Sequence, residues 1–483
     1  MLVSRECALQ GLKELVGEAQ VLTSKEALRG GSLGLNRGYE RAFDLQTLPD
    51  PLAVVEAHST EEVAKVLKYC NEIMINVIAR TGGSSGEGLL EVRDPDTIVL
   101  DCAPMNRILK IDKYNMMATC QCGVPLQVLE DEVEKDGLTT GHSPQSLPVA
   151  FMGGLVATRS IGQFSTYYGG IEDLLCGLEA VLPDGRIIRI RNVPRRASGP
   201  DLRHLFLGSE GGLAVITEVT VKLFTYYPQD MWMGGYIMKS MGEGFEAVHD
   251  IMTKGYKPSV VRLYDKPDFD YNFGSVEIGE NEAYMFFTCE GPKEVAAANG
   301  AGIDAIAKAH GGRYVGTEGV AHWLVHRNDV NKAIKDGTAL KRYRETEVYY
   351  ATTEISASWE DIKQIYEDVI ANVPKKIPNL VMLGGHISHS YQTGTNIYFV
   401  YHIKIDAPEN YYKEHCAIVD AICEEVLKYP TGGCVHHHGM GKQRVHFAPI
   451  EHGSSFTLLR DLKHMMDPNG IMNNGVLIPK YDH

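Results

Sequence analysis

Apolar positions follow two different periods in the first hundred residues. Residues 9–29 carry apolar side chains at helical spacing, whereas the segment 52–57, apolar except for Glu56, has the length of a strand. A second amphipathic helix is predicted over 63–70, because Ser59 and the residues after it form a helix-capping sequence. A further strand ends at Ile78. This order of strand, helix and strand predicts an α+β unit with a short parallel pair of strands.

Strands and helices continue to alternate through the rest of the chain. Strands are predicted within 97–123 and at 178–182, 187–190, 283–289, 381–390 and 396–404. Helices are predicted at 125–135, 244–253, 293–310, 359–371, 411–428 and 456–465. The turn sequence Pro183-Asp184-Gly185 joins two of these strands as a hairpin. The fold class is therefore α+β, and a loss of motifs near residue 226 predicts a domain boundary there.

A loop rich in glycine and hydroxyl residues, 79–88, follows the strand that ends at Ile78. Its small residues let backbone N–H groups point into one concavity, which is how a loop holds a diphosphate. The Gly-Lys-Ser/Thr of a Walker loop is missing, and no clear helix starts at the glycines as a G-x-G-x-x-G fingerprint requires. Taken alone, the pattern fits a flexible surface hairpin at least as well.

Composition and charge restrict the class of protein. A chain of 483 residues is too long for one typical core and predicts two or three domains. The net charge of −15, without a Lys/Arg-rich run, argues against nucleic acid or an anionic membrane as partner, but permits a small anionic substrate. The ten cysteines contain no C-x-x-C, as expected of reduced thiols in a cytoplasmic protein.

Targeting signals are not evident in the sequence. The N-terminus has no apolar signal core, and the last three residues are no recognisable targeting tripeptide. No stretch approaches the roughly 18 apolar residues that a membrane-spanning helix needs. These observations predict a cytoplasmic protein without a membrane span.

Five segments, in order, resemble those of the vanillyl-alcohol oxidase / p-cresol methylhydroxylase (PCMH-type) superfamily of FAD enzymes, and the resemblance covers almost the whole chain. They are 79–85 for the diphosphate, 145–151 and 158–161 for further FAD contacts, 210–216 for the adenine and ribose, and the D-P-x-x-I-x-N of 467–473. The resemblance implies a PCMH-type FAD-binding domain of two α/β subdomains (1–225), an α+β substrate or cap domain with an antiparallel sheet (226–459), and a C-terminal return to the FAD domain (460–483).

The resemblance also implies which residues contact the cofactor. They are Ala79, Arg80, Thr81, Gly82, Gly83, Ser84, Ser85, Gln145, Ser146, Pro148, Phe151, Gly154, Thr158, Ser160, Ile161, Glu210, Gly211, Val215 and Ile216. A covalent flavin needs a His or Cys beside the ring system, and 79–88 contains neither. Cys176 is the nearby alternative, and a buried thiol explains it better. We therefore predict non-covalent FAD.

Within the superfamily, the chain is most similar to the alkyl-dihydroxyacetonephosphate synthases, through segments 140–147, 261–265, 396–399 and 436–444. The related 2-hydroxy-acid dehydrogenases usually carry Glu-His-Gly at the last segment, plus an H-x-x-x-G-x-N-x-H metal motif. Here YQTGTNIY (391–398) stands in place of that motif, so no metal is predicted. A metal held by the histidine run 436–438 with His386 and His389 stays open as an alternative.

The synthase resemblance also implies catalytic and substrate-binding residues. Tyr398 would be the acid/base residue, His436, His437, His438 and Arg262 would border the active site, and His142 is implicated as well. The further candidates for substrate binding are Arg342, Arg344, His402 and Arg444. Each has a structural alternative: a core tyrosine, a surface histidine cluster, a salt-bridged arginine or a solvated basic face that includes Lys341.

Strand geometry adds two expectations about these side chains. Alternation along 396–404 places Tyr398 and His402 on one face, and a strand over the histidine run would place His436 and His438 opposite His437. A phenol is a poor base at neutral pH. We expect a neighbouring cation, from the histidine run or Arg262, to lower the pKa of Tyr398.

The function predicted is that of an FAD-dependent oxidoreductase, which dehydrogenates a small hydroxylated or phenolic substrate by hydride transfer to flavin N5. The alternatives are a redox-neutral alkyl-dihydroxyacetonephosphate synthase, which exchanges an acyl for an alkyl group, and a D-2-hydroxy-acid dehydrogenase. A flavin-binding module without catalysis is a weaker reading. A homodimer is left open, and the electron acceptor is not identified by the sequence.

Overall fold

The computed structural model describes residues 1–34, 37–273 and 277–480, without the side chains of residues 332, 334 and 335. Up to Thr225, its strands are β1 Val21–Leu22, β2 Ala53–Glu56, β3 Asn76–Arg80, β4 Thr97–Asp101, β5 Ile108–Asp112, β6 Met117–Gln121, β7 Leu138–Thr139, β8 Leu175–Val181, β9 Ile187–Ile190, β10 Val215–Lys222 and β11 Phe224–Thr225. The α-helices of this part are α1 Arg5–Val16, α2 Lys25–Ser32, α3 Gly38–Ala42, α4 Thr60–Ile73, α5 Leu126–Glu134, α6 Met152–Ala157, α7 Ser165–Tyr168 and α8 Ile171–Leu174.

The strand–helix–strand unit forms a small sheet of order β1-β2-β4-β3, in which β2 and β3 both run parallel to β4. The prediction of parallel strands is confirmed, but β4 lies between the two strands that the sequence paired. Helix α4 begins where the Ser59 side chain accepts a hydrogen bond from the Glu62 N–H, as the capping sequence predicts. The glycine loop follows β3 directly.

The second sheet is antiparallel, with the order β5-β6-β10-β8-β9. The predicted hairpin between β8 and β9 is confirmed: the Leu182 N–H donates to the Arg186 carbonyl over 2.9 Å. Gly185 adopts φ 85°, a conformation that favours glycine. The two sheets together support the glycine loop and the segments that follow it.

After Thr225 the chain forms one large antiparallel sheet with helices packed against it. Its strands are β12 Trp232–Met238, β13 Val260–Tyr264, β14 Ala283–Cys289, β15 Arg313–Gly316, β16 Val348–Ser358, β17 Leu380–Ile387 and β18 Gly394–Lys404, in the order β15-β12-β14-β13-β17-β18-β16. The α-helices are α9 Met241–Thr253, α10 Lys266–Asn272, α11 Lys293–Ala309, α12 Glu318–His326, α13 Asp329–Lys335, α14 Thr338–Thr346, α15 Trp359–Lys376, α16 Tyr411–Val426, α17 Gly441–Arg444, α18 Ala448–His452 and α19 Phe456–Met466.

The two faces of this sheet differ in chemistry. Phe399, Tyr401 and Ile403 of β18 are fully buried in the core with side chains of α9, α11, α15 and α16. Tyr398 and His402 point the other way, into a large cavity. The predicted alternation along this strand is confirmed.

The last segment crosses back to the first sheet. Helix α19 ends at Asp467, whose carboxylate accepts from the Ile471 and Met472 N–H groups at 3.0 and 2.9 Å. The Val77 N–H of β3 donates to the Ile471 carbonyl at 2.7 Å. Asn473 then bonds the Glu210 carbonyl at 2.8 Å, so the segment supports the wall of the cavity.

Among the described residues, none of the helices is both long and apolar enough to cross a bilayer. The cysteines are free thiols, and most are buried.

Candidate active site

A cavity of about 1110 Å³ lies between the glycine loop and the large sheet. Most ligand pockets measure roughly 300–1,000 Å³, so this one has room for a large ligand. Every residue expected to contact the cofactor lines it, except Pro148. The lining also includes Arg262, Arg342, Tyr398, His402, His437 and His438. The structure places Pro148, His142, His436, Arg344 and Arg444 outside the lining.

The glycine loop is a tight cradle. A Cβ added to Gly82 would lie 2.4 Å from the Val149 carbonyl oxygen and 2.7 Å from the Phe151 ring, so only glycine fits. Arg80 Nε and Ser85 Oγ are buried polar atoms without a partner in the described chain. Burial lowers the pKa of Arg80, and the negative charge of Asp101 offsets only part of that shift. A diphosphate would supply further negative charge and acceptors for the free Nε, so the residues present fit FAD.

Glu210 holds the histidine run in place. Its carboxylate accepts from the Met440 and Gly441 N–H groups at 2.8 and 3.0 Å, and burial raises its pKa to about 7. A Cβ on Gly439 would lie 2.3 Å from Glu210 Oε1. Although Glu210 lines the cavity, its carboxylate is therefore engaged with the protein backbone.

The histidine run has no strand geometry, so the alternation expected for it is wrong. The N–H groups of His436, His437 and His438 all donate to Glu354 Oε1, at 3.3, 3.1 and 2.9 Å. Three consecutive amides that converge on one oxygen curl the backbone. His436 and His437 consequently contact each other through their Nδ1 atoms, at 2.8 Å.

The register of the large sheet brings four side chains next to one another on neighbouring strands. Tyr264 pairs with His386, His386 with Tyr398, and Tyr398 with Glu354. The His386 ring stacks between the two tyrosine rings, with centroids 4.7 Å from Tyr264 and 5.0 Å from Tyr398. Its Nδ1 bonds the buried carboxylate of Asp268, which fixes the orientation of the ring. Tyr264, His386 and Tyr398 form one wall of the cavity, and Glu354 lies outside its lining.

Glu354 is the negative centre behind this wall. It bonds His438 Nδ1 at 2.7 Å and lies 3.5 Å from Arg444 Nη2, which also reaches Glu87 at 3.2 Å. Burial opposes its charge, but His438 and Arg444 hold the pKa of Glu354 well below its usual range. Burial likewise opposes protonation of His438, and Glu354 outweighs it, so the pKa of His438 is raised.

The charged cluster around Glu354 is also relevant to the alternative of a bound metal ion. Glu87, Glu354 and His438 have ligand atoms within 4.8 Å of one another. However, the Arg444 guanidinium already bridges both carboxylates and supplies the positive charge. His386 Nδ1 is bonded to Asp268, and His389 Nδ1 lies 2.8 Å from Ser165 Oγ. These contacts favour a hydrogen-bonded cluster over a metal centre.

The pKa of Tyr398 is shifted in the opposite direction to the one expected from the sequence. Burial and the negative charge of Glu354 raise the pKa of Tyr398, so the expected lowering by a cation is wrong. Its phenol oxygen lies 2.5 Å from His437 Nε2. Burial holds the pKa of His437 well below its usual range, so that imidazole is neutral, and its Nε2 can accept a hydrogen bond from the phenol in one of the two ring tautomers.

Arg262 is a buried cation whose charge has no carboxylate partner among the described residues. It is 4% exposed, its Nε is unpartnered, and its guanidinium lies over the Trp323 indole, 4.8 Å from the centroid. Arg327 lies near the same ring, at 5.9 Å, and bonds Ser143 and Gln163. Burial and the charge of Arg262 lower the pKa of Arg327 to about 10. The two guanidiniums together favour an anion.

The remaining basic candidates are engaged in the protein. Arg342 lies 3.8 Å over the Tyr350 ring and bonds Tyr271, at the lining of the cavity. Arg344 donates to the Ala42 carbonyl, and Lys341 pairs with Glu345. The expected basic cluster therefore does not converge on one ligand.

Two histidines of the prediction are neutral and buried. Burial lowers the pKa of His142 to about 4, and neither of its ring nitrogens has a partner in the described chain. Burial also lowers the pKa of His402 to about 4. Sequence reasoning missed Glu354 and Arg327, and it named His386 only as a metal ligand. Their positions depend on sheet register and long-range packing, which no local motif signals.

Family models cover most of the chain. Residues 51–191 match the model described as FAD binding domain, and residues 228–477 match that of FAD linked oxidases, C-terminal domain. The "Uncharacterized FAD-linked oxidoreductase YgcU" of Escherichia coli (strain K12) is 45% identical, over 99% of both chains. The alkyldihydroxyacetonephosphate synthase of Dictyostelium discoideum is 28% identical, over 91% of this chain and 75% of its own. The D-lactate dehydrogenase of Archaeoglobus fulgidus is 27% identical, over 88% and 91%.

Solved structures share the fold. An alkyldihydroxyacetonephosphate synthase superposes with a TM-score of 0.77 at 23% identity, over 98% of this chain and 85% of its own. A p-cresol methylhydroxylase superposes with a TM-score of 0.75 at 17% identity, over 99% and 98%. The predicted PCMH-type fold is confirmed.

Proposed function

Since the chain belongs to the family of FAD-linked oxidases, we propose that it dehydrogenates a small hydroxylated substrate that carries an anionic group. The enzyme class and the cofactor, FAD, follow from the family. The observation that carries the finer proposal is a cavity lined both by a phenol suited to acid/base chemistry, Tyr398, and by a buried arginine, Arg262, that has no carboxylate partner among the described residues. A phenolic substrate remains within the same proposal.

FAD supplies the hydride acceptor, flavin N5, when it is bound. Residues 79–85 are proposed to bind its diphosphate through backbone N–H groups, with Arg80 as the counter-charge. The cofactor is proposed to be non-covalent, because Cys176 lies outside the described lining and its thiol bonds the Leu174 carbonyl. The absence of His and Cys from the glycine loop supports the same conclusion.

Tyr398 is proposed to take the proton of the substrate hydroxyl. Its phenol oxygen lies 2.5 Å from Nε2 of the neutral His437, so the phenol can pass its proton on as it receives another. His386, stacked on Tyr398 and fixed by Asp268, holds the phenol ring in position. Arg262 and Arg327 bind the anionic group and orient the substrate.

The redox-neutral synthase remains a second candidate. The same Tyr398, histidine run and Arg262 support it, together with the similarity to the alkyldihydroxyacetonephosphate synthases over most of the chain. A D-2-hydroxy-acid dehydrogenase is a narrower form of the first proposal, supported by the similarity to a D-lactate dehydrogenase and by the arginine pair. The synthase differs from both because the flavin undergoes no net reduction.

Anaerobic incubation of the FAD-loaded protein separates these candidates. We expect a D-2-hydroxy acid, or another alcohol that carries a carboxylate or phosphate, to bleach the flavin absorbance and leave an oxidised product. The uncharged alcohol of the same carbon skeleton is the matched control and should react much more slowly. Turnover of an acyl ketone phosphate with the flavin still oxidised would refute the oxidoreductase and support the synthase.

A further inference from the structure

Four titratable side chains form one uninterrupted hydrogen-bonded row that leaves the cavity. Tyr398 Oη lies 2.5 Å from His437 Nε2, and His437 Nδ1 lies 2.8 Å from His436 Nδ1. His436 Nε2 lies 2.9 Å from Tyr391 Oη. Each imidazole therefore uses both of its ring nitrogens within the row. Such double use is what proton transfer through a histidine requires, because one nitrogen must accept while the other donates.

When both imidazoles are neutral, every hydrogen bond in the row can have one donor and one acceptor. Burial lowers the pKa of His436 to about 4 and holds that of His437 well below its usual range, so neither ring carries a charge at neutral pH. With Tyr398 as the inner donor, His437 is protonated on Nδ1 and His436 on Nε2, and every contact has one donor and one acceptor. Reversing all three bonds gives the second consistent state. The two states differ only in the positions of protons.

The outer end of the row approaches the surface. All four residues are partly exposed, but Tyr398 and His437 line the cavity, whereas Tyr391 is followed directly by the exposed residues Gln392 and Thr393. Burial, Glu172 and Asp173 raise the pKa of Tyr391, while Arg159 opposes the shift, which places these charged groups around the phenol. Arg159 is 59% exposed and pairs with Glu172 at 3.3 Å. A proton that reaches Tyr391 therefore meets hydrated, charged groups.

We propose that Tyr398, His437, His436 and Tyr391 form a proton relay that carries the substrate hydroxyl proton from the cavity to solvent. This inference rests on the proposed dehydrogenation. The substrate O–H bond breaks as a new O–H bond forms at Tyr398, whose own proton moves to His437 Nε2. The Nδ1 proton of His437 moves to His436 Nδ1, the Nε2 proton of His436 moves to Tyr391, and the Tyr391 proton passes to water. The substrate loses one proton by this route and one hydride to FAD, which balances its oxidation to a carbonyl.

The relay makes Tyr391 and His436 functional, although neither lines the cavity within the described chain. Neither residue touches the substrate, so both act through Tyr398. The same row explains why the histidine run curls around Glu354: only that curl brings the Nδ1 atoms of His436 and His437 together.

The arrangement can be tested without any substrate. In FAD-loaded protein labelled with ¹⁵N-histidine, we expect a scalar coupling across the hydrogen bond between the Nδ1 atoms of His436 and His437, with both rings neutral at pH 7. His436→Gln assigns the pair and should abolish the coupling. A doubly protonated ring at either position, or no coupling in the wild-type protein, would overturn the relay.

The transfer itself is tested with Tyr391→Phe, which removes only the outer hydroxyl. With an alcohol that bleaches the wild-type flavin, we expect flavin reduction at least about tenfold slower, since acid/base groups contribute about 10²–10⁴-fold and this one acts at a distance. The wild-type rate should show a curved dependence on the deuterium fraction of the solvent, because several protons move together. That dependence should become linear in Tyr391→Phe. An unchanged rate with an unchanged curve would contradict the relay.

Tyr429→Phe is the matched control, because it also removes a tyrosine hydroxyl with one hydrogen bond, to Asp368 at 2.6 Å, on the opposite side of the core. It should leave the rate and the solvent isotope dependence unchanged. Failure of every alcohol to bleach the wild-type flavin would refute the proposed function. The nitrogen coupling would still decide whether the row exists, so the two failures are distinguishable.

Discussion

Replacement of Glu354 by glutamine is the sharpest test of the charge arrangement behind the cavity. Glutamine keeps the shape and one oxygen for the three N–H groups of the histidine run, but it removes the negative charge. The fully buried Arg444 and the 32% exposed His438 then lose Glu354 as their counter-ion and keep only Glu87. Breaking a buried ion pair costs about 3–5 kcal/mol, so we expect a destabilisation of that order.

The penalty should depend on pH in a defined direction. The pKa of His438 is raised in the folded protein, so the pair with Glu354 stabilises fully below the ordinary histidine pKa and is lost as the pH rises through the raised value. The difference in free energy of unfolding between wild type and Glu354→Gln should therefore be larger at about pH 6 than at pH 9. The contribution of Arg444 persists at both values, because its guanidinium stays charged.

Urea unfolding with excess FAD, followed by near-ultraviolet circular dichroism at both pH values, measures this difference. Glu424→Gln is the control, because Glu424 pairs with Lys376 at the surface, and such pairs contribute only about 0–1 kcal/mol. A Glu354→Gln penalty below about 1 kcal/mol, or one that is equal at pH 6 and pH 9, would refute the assigned ion pair.

Three further substitutions and one chemical test follow from the site. Tyr398→Phe should slow flavin bleaching by at least about 100-fold and leave FAD bound, as measured by stopped-flow absorbance; retained turnover would reject its acid/base role. Arg262→Met should raise the half-saturating concentration of an anionic substrate about tenfold or more, since hydrogen bonds to charged groups contribute about 1.5–3 kcal/mol, and it should leave the uncharged analogue unaffected. Gly82→Ala should weaken FAD binding in a titration of the apoprotein, because its Cβ would lie 2.4 Å from the Val149 carbonyl oxygen, whereas Gly30→Ala meets open space and should bind normally. Acid precipitation should release all flavin into the supernatant; flavin retained in the pellet would contradict non-covalent binding.

Local patterns were enough to predict most of the fold. The strand at 283–289 has the bounds that its apolar run predicts, and the strand that carries Tyr398 presents the predicted face to the cavity. The first result depends on a short apolar run and the second on side-chain alternation, and both patterns are present in the local sequence. The glycine loop was also recognisable, because close backbone contacts at Gly82 require the residue type itself.

The charges of the site were not predictable in the same way. Glu354 lies in an ordinary strand sequence, and only the register places it beside Tyr398 and beneath the histidine run. Arg327 follows a helix with many exposed positions, and packing brings it to Arg262. The strand expected for the histidine run failed because one carboxylate, distant in sequence, accepts all three N–H groups. Register and packing are properties of the whole sheet.

The failed expectation about Tyr398 shows how the site can supply a base. A lowered pKa would require a stable phenolate, and a buried phenolate 2.5 Å from a neutral imidazole and close to Glu354 is costly. A neutral acceptor removes that requirement, because a proton can enter and another can leave Tyr398 without a charged intermediate. In the relay proposed above, the cation that matters is therefore at the substrate end, where Arg262 faces the cavity without a counter-ion among the described residues. In the proposed reaction, the anionic group of the substrate would neutralise Arg262, and the phenol would be neutral before and after the transfer.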